Sequence, residues 1–463
     1  MDGVAAGRSI PVRLSPQRLK TNKYPMKTLL FSPRAVAFWP LAGLAAALIS
    51  GSAYAQEANA LAKFHRGDIF SSTNSVSDIQ GVAHDTDPLV VNPWGLTPGP
   101  EGNLHVNLNG TGVNGHYAPN GALITGSAVP HTFTIPQATI TSGTIGSPTG
   151  IVLDKLAYTE SGSNDFIITG TGSSKPSHYL IATEDGAICG YNENVEAGAA
   201  IKAYDGSPLA GYTGVALSFV TGSSGALEHR LYAANFRAGK VDVFTPSFTP
   251  VALTGSDTFT DPNLPTPPVG YSWSPFNVHH VAFLGRSAAH EKLSVQRRIL
   301  VAYALHSGTG NPMNDVPTVS GSNFGAVAVF TPEGEYLRDL VPASAGMLNS
   351  PWGLAISHTP VISDGASTFV LVGSHGNGQI NAYAFDAGAH EGAHITTLEN
   401  DQKLPLAFDG LWALHFGPKK ERLAEFLADV DELREDGSNL YFSAGLLDET
   451  HGLVGKITVP HLH

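Results

Sequence analysis

One short motif recurs along the chain and restricts its possible folds more than any other feature. In each copy a Pro or Tyr precedes an aromatic residue or Thr, then comes Gly or Asn, and then an apolar run. Successive copies lie about 63 residues apart on average, which indicates a protein built from repeated structural units. Five clear copies and a looser sixth, together called the start motif, are Asn92–Leu96, Ser147–Ile151, Gly211–Val215, Ser274–Val278, Ser350–Leu354 and Asp409–Ala413.

Strand-like runs follow each start motif, and no helical pattern separates most of them. The stretch 231–244, LYAANFRAGKVDVF, shows the layout: an apolar strand, a polar turn with glycine, and an alternating strand. Repeated four-stranded sheets arranged around an axis form a β-propeller, because each sheet buries its faces against its neighbours. The sequence therefore predicts an all-β, six-bladed propeller over residues 56–463.

Two segments complete the predicted domain. The stretch 68–76, DIFSSTNSV, is the best N-terminal strand, and we expect it to pair with GLVGKITV near the C-terminus and cover an exposed strand edge. The stretch 418–436 places apolar residues at helical spacing, which predicts one short helical insertion in the last blade.

The N-terminal region differs from the rest of the chain. Residues 26–55 combine a basic start, an apolar run and the small-x-small end Ala53-Tyr54-Ala55, which is typical of a secretory signal peptide. Residues 1–25 are interpreted as a leader extension or a mis-set start. The apolar run is short for a membrane anchor, which is the alternative interpretation. We expect a secreted, periplasmic or cell-envelope protein with no transmembrane segment after signal removal.

Charge and cysteine content narrow the possible partners. The formal net charge is −13, and residues 1–55 are basic, so the remainder is still more acidic. Such a surface repels phosphates, which argues against a nucleic-acid partner. The single cysteine, Cys189, excludes an intramolecular disulfide and is predicted to be a buried strand residue. We expect a monomer.

Several blocks of the sequence carry a resemblance to a known group. They include DTDPLVVNPWGL, LIATEDGAICGYN, NSPWGLAIS, FDGLWALHFG and DETHGLVGKI. Across about residues 76–458 the chain resembles a functionally uncharacterised family of exported proteins in the NHL-like six-bladed propeller group. Some members end in a Pro-Glu-Pro sorting tail, whereas this chain ends in ITVPHLH. The turn 373–378 reads GSHGNG where the resemblance implies GNFGDG, so His375 is a departure.

Polar residues next to the inner strands are the candidate site residues, because propeller ligands gather over the axis. The sequence does not decide whether strand starts and strand ends face the same side. The candidates before or within inner strands are Asn92, Asn277, His279, Asn349 and Asp409. Those after second strands are Asn109, Asn235, His306, His375 and Asp448. Asp409, Asn92 and Asn349 are the predicted ligands of a calcium or zinc ion; alternatively, such residues only tie down strand starts by hydrogen bonds.

Three functions remain open at this point. The absence of a Gly-x-Ser-x-Gly, Walker or His-Glu-x-x-His motif favours a non-catalytic propeller that binds a small molecule, glycan or protein at its axial face. The axial Asn, Asp and His residues resemble those of lactonase-type propellers, which implies a hydrolase or lyase dependent on a divalent cation. The turn Asp448-Glu449-Thr450-His451 offers a possible metal corner. A structural protein of the cell envelope is the third hypothesis.

Overall fold

The computed structural model describes most of the predicted domain. It covers residues 68–99, 102–124, 131–139, 145–159, 164–222, 224–286, 293–307, 324–359, 367–385, 391–418 and 435–458. The predicted signal peptide lies outside these residues. In the described part the helical segments are α1 (Lys155–Thr159), α2 (Leu446–Glu449) and two 3-10 turns, Asn109–Thr111 and Ala343–Ala345. The all-β prediction is confirmed.

Six mainly antiparallel sheets follow one another along the chain, each starting from an inner strand. The chain first forms β1 (Ser71–Ser77) and β2 (Asp85–Thr86). Blade 1 consists of β3 (Pro93–Pro98), β4 (Leu104–Leu108), β5 (Val113–Tyr117) and β6 (Thr132–Thr134). Blade 2 consists of β7 (Pro148–Leu153), β10 (Tyr179–Thr183), β11 (Ala187–Tyr191) and β12 (Ile201–Asp205), with a hairpin of β8 (Ile167–Thr169) and β9 (Ser174–Pro176) between its first two strands.

The second half of the chain forms the other four blades. Blade 3 has three strands, β13 (Tyr212–Thr221), β14 (Leu227–Asn235) and β15 (Lys240–Phe244). Blade 4 consists of β16 (Tyr271–Arg286), β17 (Leu293–Ser307), β18 (Ala326–Phe330) and β19 (Tyr336–Val341). Blade 5 consists of β20 (Pro351–Thr359), β21 (Ser367–Ser374), β22 (Ile380–Phe385) and β23 (His394–Thr397). Blade 6 contains β24 (Leu411–Pro418), β25 (Glu435–Gly445) and β26 (His451–Thr458).

The inner strands form a closed ring. Each of β3, β7, β13, β16, β20 and β24 contacts the next, and β24 contacts β3 again. Apolar clusters fill the interfaces between successive blades, so both faces of each sheet are covered. The chain is therefore a six-bladed β-propeller. The predicted four strands per unit hold for blades 1, 2, 4 and 5, whereas in blade 3 an isolated bridge between Phe244 and Pro250 takes the place of a fourth strand.

The N-terminal strand closes the ring, as predicted. Strand β1 pairs antiparallel with β26, with Ser71 opposite Thr458 and Ser77 opposite Leu453. Val76 is fully buried, and the Ser77 hydroxyl donates to the Gly452 carbonyl at 2.6 Å. The last blade therefore combines both ends of the propeller, and its third strand has no open edge.

The predicted helix at 418–436 is wrong at both ends. Pro418 belongs to β24, and Glu435 and Asp436 belong to β25. Pairing of Pro418 with Glu435 extends the hairpin into the segment that the apolar spacing assigned to a helix. Residues 419–434, the rest of that prediction, lie outside the described residues.

The small residue of the start motif is required by the close approach of inner strands. A Cβ atom on Gly150 would lie 2.7 Å from the Val215 backbone nitrogen in the next blade. A Cβ atom on Gly353 would lie 2.7 Å from the Trp412 carbonyl oxygen. Both contacts are with backbone atoms that cannot move aside without shifting a strand. Glycine at this position of the start motif is thus a steric requirement in blades 2 and 5.

A buried histidine predicts a loss of stability in acid. Burial, assisted by the charge of a protonated His116, lowers the pKa of His105 from 6.5 to about 3, although a hydrogen bond with Asn114 opposes the shift. The unfolded chain therefore binds more protons than the folded chain between these values, and stability falls as the pH drops from about 6.5. We expect a loss of about 2 kcal/mol between pH 7 and pH 5.

Urea unfolding midpoints at the two pH values measure this effect. His105→Gln should remove this part of the pH dependence. His84→Gln, at a largely exposed ring, should retain it. Equal pH dependence in both variants would contradict the assignment to His105.

Candidate functional site at the propeller axis

The starts of inner strands and the ends of second strands lie on one side of the propeller, here called the upper face. Pro93 pairs with Leu108, Pro351 with Ser374 and Leu411 with Ala444. The two sets of residues selected from the sequence therefore share this face, which the sequence left undecided. The pairing also aligns Trp412, and not Leu411, with the aromatic position of the start motif.

Aromatic side chains of the start motifs fill the axis. Trp94, Phe276, Trp352 and Trp412 are each at most 4% exposed. The Trp94 and Trp412 rings stack with centroids 3.6 Å apart, and Trp352 meets Trp412 edge-on at 5.7 Å. The Trp352 indole N–H donates across the axis to the Thr213 carbonyl at 3.0 Å. The axis is thus closed at the start of the inner strands, and a ligand on this face would bind above the aromatic layer.

Four residues form a continuous network on this layer, here called the axial site. The Trp412 indole N–H donates to Asn92 Oδ1 at 3.0 Å, and Asn92 Nδ2 donates to Glu449 Oε2 at 2.8 Å. Glu449 Oε1 lies 3.4 Å from His375 Nε2. The His375 ring returns to Trp412 by stacking at a centroid distance of 4.0 Å. Three of these residues belong to start motifs or strand ends of blades 1, 5 and 6, so the closed ring brings them together.

The axial site is partly open to solvent. Asn92 and Trp412 are buried, whereas the side chains of His375 and Glu449 are 16% and 34% exposed. The carboxylate therefore has a fixed inner side, where it accepts a hydrogen bond from Asn92, and an outer side in contact with solvent. Such a carboxylate can accept a hydrogen bond from a ligand, or act in proton transfer with the adjacent imidazole.

An unusual turn holds Glu449. Leu447, Asp448 and Glu449 have φ values of 54°, 53° and 62°, so α2 is a single left-handed turn without glycine. This conformation costs roughly 1–2 kcal/mol per residue. Asp409 Oδ2 accepts from the Leu447 N–H at 2.9 Å, and the Thr450 hydroxyl donates to the Leu447 carbonyl at 2.7 Å. Backbone strain maintained by specific contacts is characteristic of functional sites.

Relief of this strain should stabilise the protein. The Leu447 side chain is 60% exposed, so Leu447→Gly removes the left-handed strain with little loss of packing. We expect the free energy of unfolding to rise by about 1 kcal/mol, measured by urea denaturation. Leu209→Gly is the matched control, because the Leu209 side chain is 78% exposed and its φ is not positive. This variant should be less stable than the wild type. Destabilisation of both variants would show that the turn is not strained.

Some buried acceptors and donors near the axis lack a hydrogen-bond partner among the described residues. Asn349 Oδ1, Ser350 Oγ and Trp94 Nε1 are buried and form no hydrogen bond with the described residues. Asn349 lies beside the axial site, since its carbonyl accepts from the Gly376 N–H at 3.0 Å and the Ser350 carbonyl accepts from the His375 N–H at 2.9 Å. Such atoms are usually satisfied by water or a ligand.

Other predicted ligand-binding residues have mainly structural contacts. Asn109 Nδ2 donates to Glu184 at 2.9 Å and to the Pro148 carbonyl at 3.3 Å. Asn235 Oδ1 accepts from the Ala238 N–H of its own turn and from the Gly211 N–H just before β13, both at 3.1 Å. Asn277 Nδ2 donates to the Trp352 carbonyl at 2.7 Å, and the His306 ring packs against Phe236 at 5.0 Å. His279 lies within β16. The side chains of Asn109, Asn235 and Asn277 therefore link strands and turns of the propeller, and their role as ligand-binding residues stays a prediction.

The predicted metal ligands have separate hydrogen-bonding roles. Asp409 is exposed and supports α2, Asn92 uses both polar side-chain atoms within the protein, and Asn349 retains a free acceptor. In the described residues no group of three or more His, Cys, Asp or Glu side chains is placed to hold a metal ion. A calcium or zinc site stays a prediction.

The turn at 448–451 does not form the predicted metal corner. Glu449 reaches inward to the axial site, whereas His451 Nδ1 lies 2.6 Å from Asp78 Oδ2 on the N-terminal segment. Asp78 also accepts from the Gly452 N–H at 2.9 Å. Glu449 therefore contacts His375, and His451 contacts Asp78, so Glu449 and His451 do not share a partner.

Comparison with known proteins gives relatives without a stated activity. No family model matches the chain. Two uncharacterised proteins of Acanthamoeba polyphaga mimivirus are 26% and 25% identical to it; each match covers 82% of this chain, and 78% and 84% of the viral proteins. The resemblance to an exported family therefore stays a prediction.

Distant similarity to solved structures was also found. A streptogramin B lyase matches 84% of this chain and 97% of its own, at 10% identity and a TM-score of 0.37. The PQQ-bound aldose sugar dehydrogenase of Streptomyces coelicolor matches 85% of this chain and 100% of its own, at 15% identity and a TM-score of 0.36. No helix in the described ranges is long and apolar enough to cross a membrane. The propeller assignment rests on the sheets and ring of this chain itself.

Proposed function

We propose that the chain binds a small organic amine at the axial site, without chemical conversion of the ligand. The observation that supports this function is Glu449, a half-exposed carboxylate fixed by Asn92 and His375 above a layer of tryptophans. A protonated amine donates charge-assisted hydrogen bonds to such a group.

The surroundings of the site favour a positive ligand. Asp409 and Asp448 are exposed near Glu449, and neither forms an ion pair with a described residue. Asp409 is tied to the same turn through the Leu447 N–H. Three carboxylates on this turn or bonded to it attract cations and repel anions. The net charge of −13 acts in the same direction.

Thermal shift with matched pairs of ligands tests the proposal. Putrescine, tyramine and glucosamine are each compared with the fully N-acetylated derivative, N,N′-diacetylputrescine in the first case, in which no protonated amine remains. At least one amine should raise the melting temperature of the wild type, because a ligand at 100 times its Kd adds about 2.7 kcal/mol. Glu449→Gln should weaken binding at least tenfold, as expected for loss of a charged hydrogen bond worth about 1.5–3 kcal/mol.

Controls separate binding at the site from general charge effects. Asp401→Asn removes one exposed carboxylate from a loop of blade 5 and should leave the shift unchanged. An amine that stabilises Glu449→Gln as much as the wild type would contradict the proposal. So would the absence of a shift with every amine.

A cation-dependent hydrolase or lyase is the second candidate, and one observation favours it: the hard oxygen ligand Glu449 lies next to an imidazole. The same assay with calcium and zinc examines this alternative. A rise in melting temperature that Asp409→Ala and Asn92→Ala both abolish would support it. The absence of any shift with divalent ions would remove it.

A further inference from the structure

A second cavity opens between blades 2 and 3. Its volume is about 590 Å³, and its walls come from the end of β12 with the following loop and from the β14–β15 turn. Both segments lie on the upper face, because the start of β13 pairs with the end of β14. No residue of the axial site lines this cavity.

Most of one wall is apolar. Tyr204, Pro208, Leu209 and Ala210 line it from blade 2, and Pro250 lines it from blade 3. The Leu209 side chain is 78% exposed at this position. Apolar walls with a few fixed polar groups are characteristic of small-molecule sites.

The charged group of the cavity that lacks a counter-ion among the described residues is Arg237. Its NH1 donates to the Pro208 carbonyl at 3.0 Å, and this is its one hydrogen bond with the described residues. Its Nε is buried and has no described hydrogen-bond partner. No described carboxylate forms an ion pair with it. The guanidinium is therefore held in place while part of its donor fork is unused.

The neighbouring carboxylate does not neutralise Arg237. Asp242 Oδ1 lies 2.7 Å from Lys240 Nζ, and its Oδ2 accepts from Asn235 Nδ2 at 2.8 Å and from the Tyr212 hydroxyl at 3.2 Å. With Asp242 and Lys240 paired, the cavity has one net positive charge. This charge is notable on a chain whose formal net charge is −13.

We propose that this cavity binds a small organic carboxylate with an apolar body. The carboxylate accepts hydrogen bonds from the open part of the Arg237 fork, whose planar geometry suits carboxylates. The apolar body packs against Leu209 and Tyr204. This site is separate from the axial site and takes a ligand of opposite charge.

Isothermal titration with 4-phenylbutyrate, and with its neutral amide, tests the proposal on the folded chain. The wild type should bind the carboxylate at millimolar concentrations and the amide at least tenfold more weakly. Arg237→Gln should weaken binding of the carboxylate at least tenfold. The matched control is Arg230→Gln, because Arg230 is already paired with Glu228 and lies outside this cavity; it should bind like the wild type.

A second variant keeps the test valid if Arg237→Gln does not fold. Leu209→Asp places a negative charge at the exposed wall and should also weaken binding at least tenfold. Glu449→Gln should leave phenylbutyrate binding unchanged, which separates this site from the axial one. Equal binding of carboxylate and amide, equal binding by wild type and Leu209→Asp, or no binding by the wild type would overturn the proposal.

Discussion

A chain that begins at residue 79 should lose the closed ring and much of its stability. This truncation removes β1, including the fully buried Val76, and Phe70, which is 2% exposed. Burial of two such side chains contributes about 1.5–3 kcal/mol each. It also removes the Ser77 hydroxyl bond to Gly452 and the contact of Asp78 with His451. The edge of β26 would then be open to pairing with another chain.

Three measurements check this expectation. Size-exclusion chromatography should show that the truncated chain associates, and urea denaturation should give a lower midpoint. Hydrogen exchange should be fast at the backbone amides of β26. A chain that begins at residue 68 keeps β1 and is the control. Addition of a peptide of residues 68–80 should restore slow exchange at β26. A truncated chain that stays monomeric with an unchanged midpoint would contradict closure by β1.

The second large effect is expected at the ring itself. Gly150→Ala would place a Cβ atom within about 3 Å of three backbone atoms of blade 3, including 2.7 Å from the Val215 nitrogen. Relief requires movement of an inner strand, so we expect a loss of about 3 kcal/mol in the free energy of unfolding.

Two variants control for the substitution of glycine itself. Gly172→Ala is exposed, with no atom within 4 Å of the new Cβ, and should change stability by less than about 0.5 kcal/mol. Ala413→Gly removes the side chain at the sixth small position, where a Cβ already fits. Equal effects of Gly150→Ala and Gly172→Ala would contradict the steric origin of the start motif.

The fold was readable from the sequence because it depends on repeated local features. The start motif marks each inner strand, and an exposed edge of the last blade implies a partner strand at the other end of the chain. The sixth copy was offset by one residue, because its Leu411 occupies the position of Pro in other copies. The helix prediction is wrong only at its two ends, where the hairpin of β24 and β25 extends to Pro418 and Glu435.

The axial site was readable only in part. Asn92 and His375 were selected from their places beside strands, but Glu449 was placed in a metal corner with His451. Its contact with Asn92 joins residues 357 positions apart and depends on three left-handed residues without glycine. No local sequence signal marks such a turn. Likewise, the tryptophans are visible in the sequence as part of the repeated start motif. That their side chains meet and close the axis depends on how the six blades curve around it.

The most direct test of the axial site is an NMR titration of the chain with its best-binding amine. We expect the His375 ring signals and the Trp412 indole N–H signal to shift first and saturate together, and Glu449→Gln to abolish both changes. Saturating shifts confined to residues remote from His375 and Trp412, with those two signals unmoved, would contradict it.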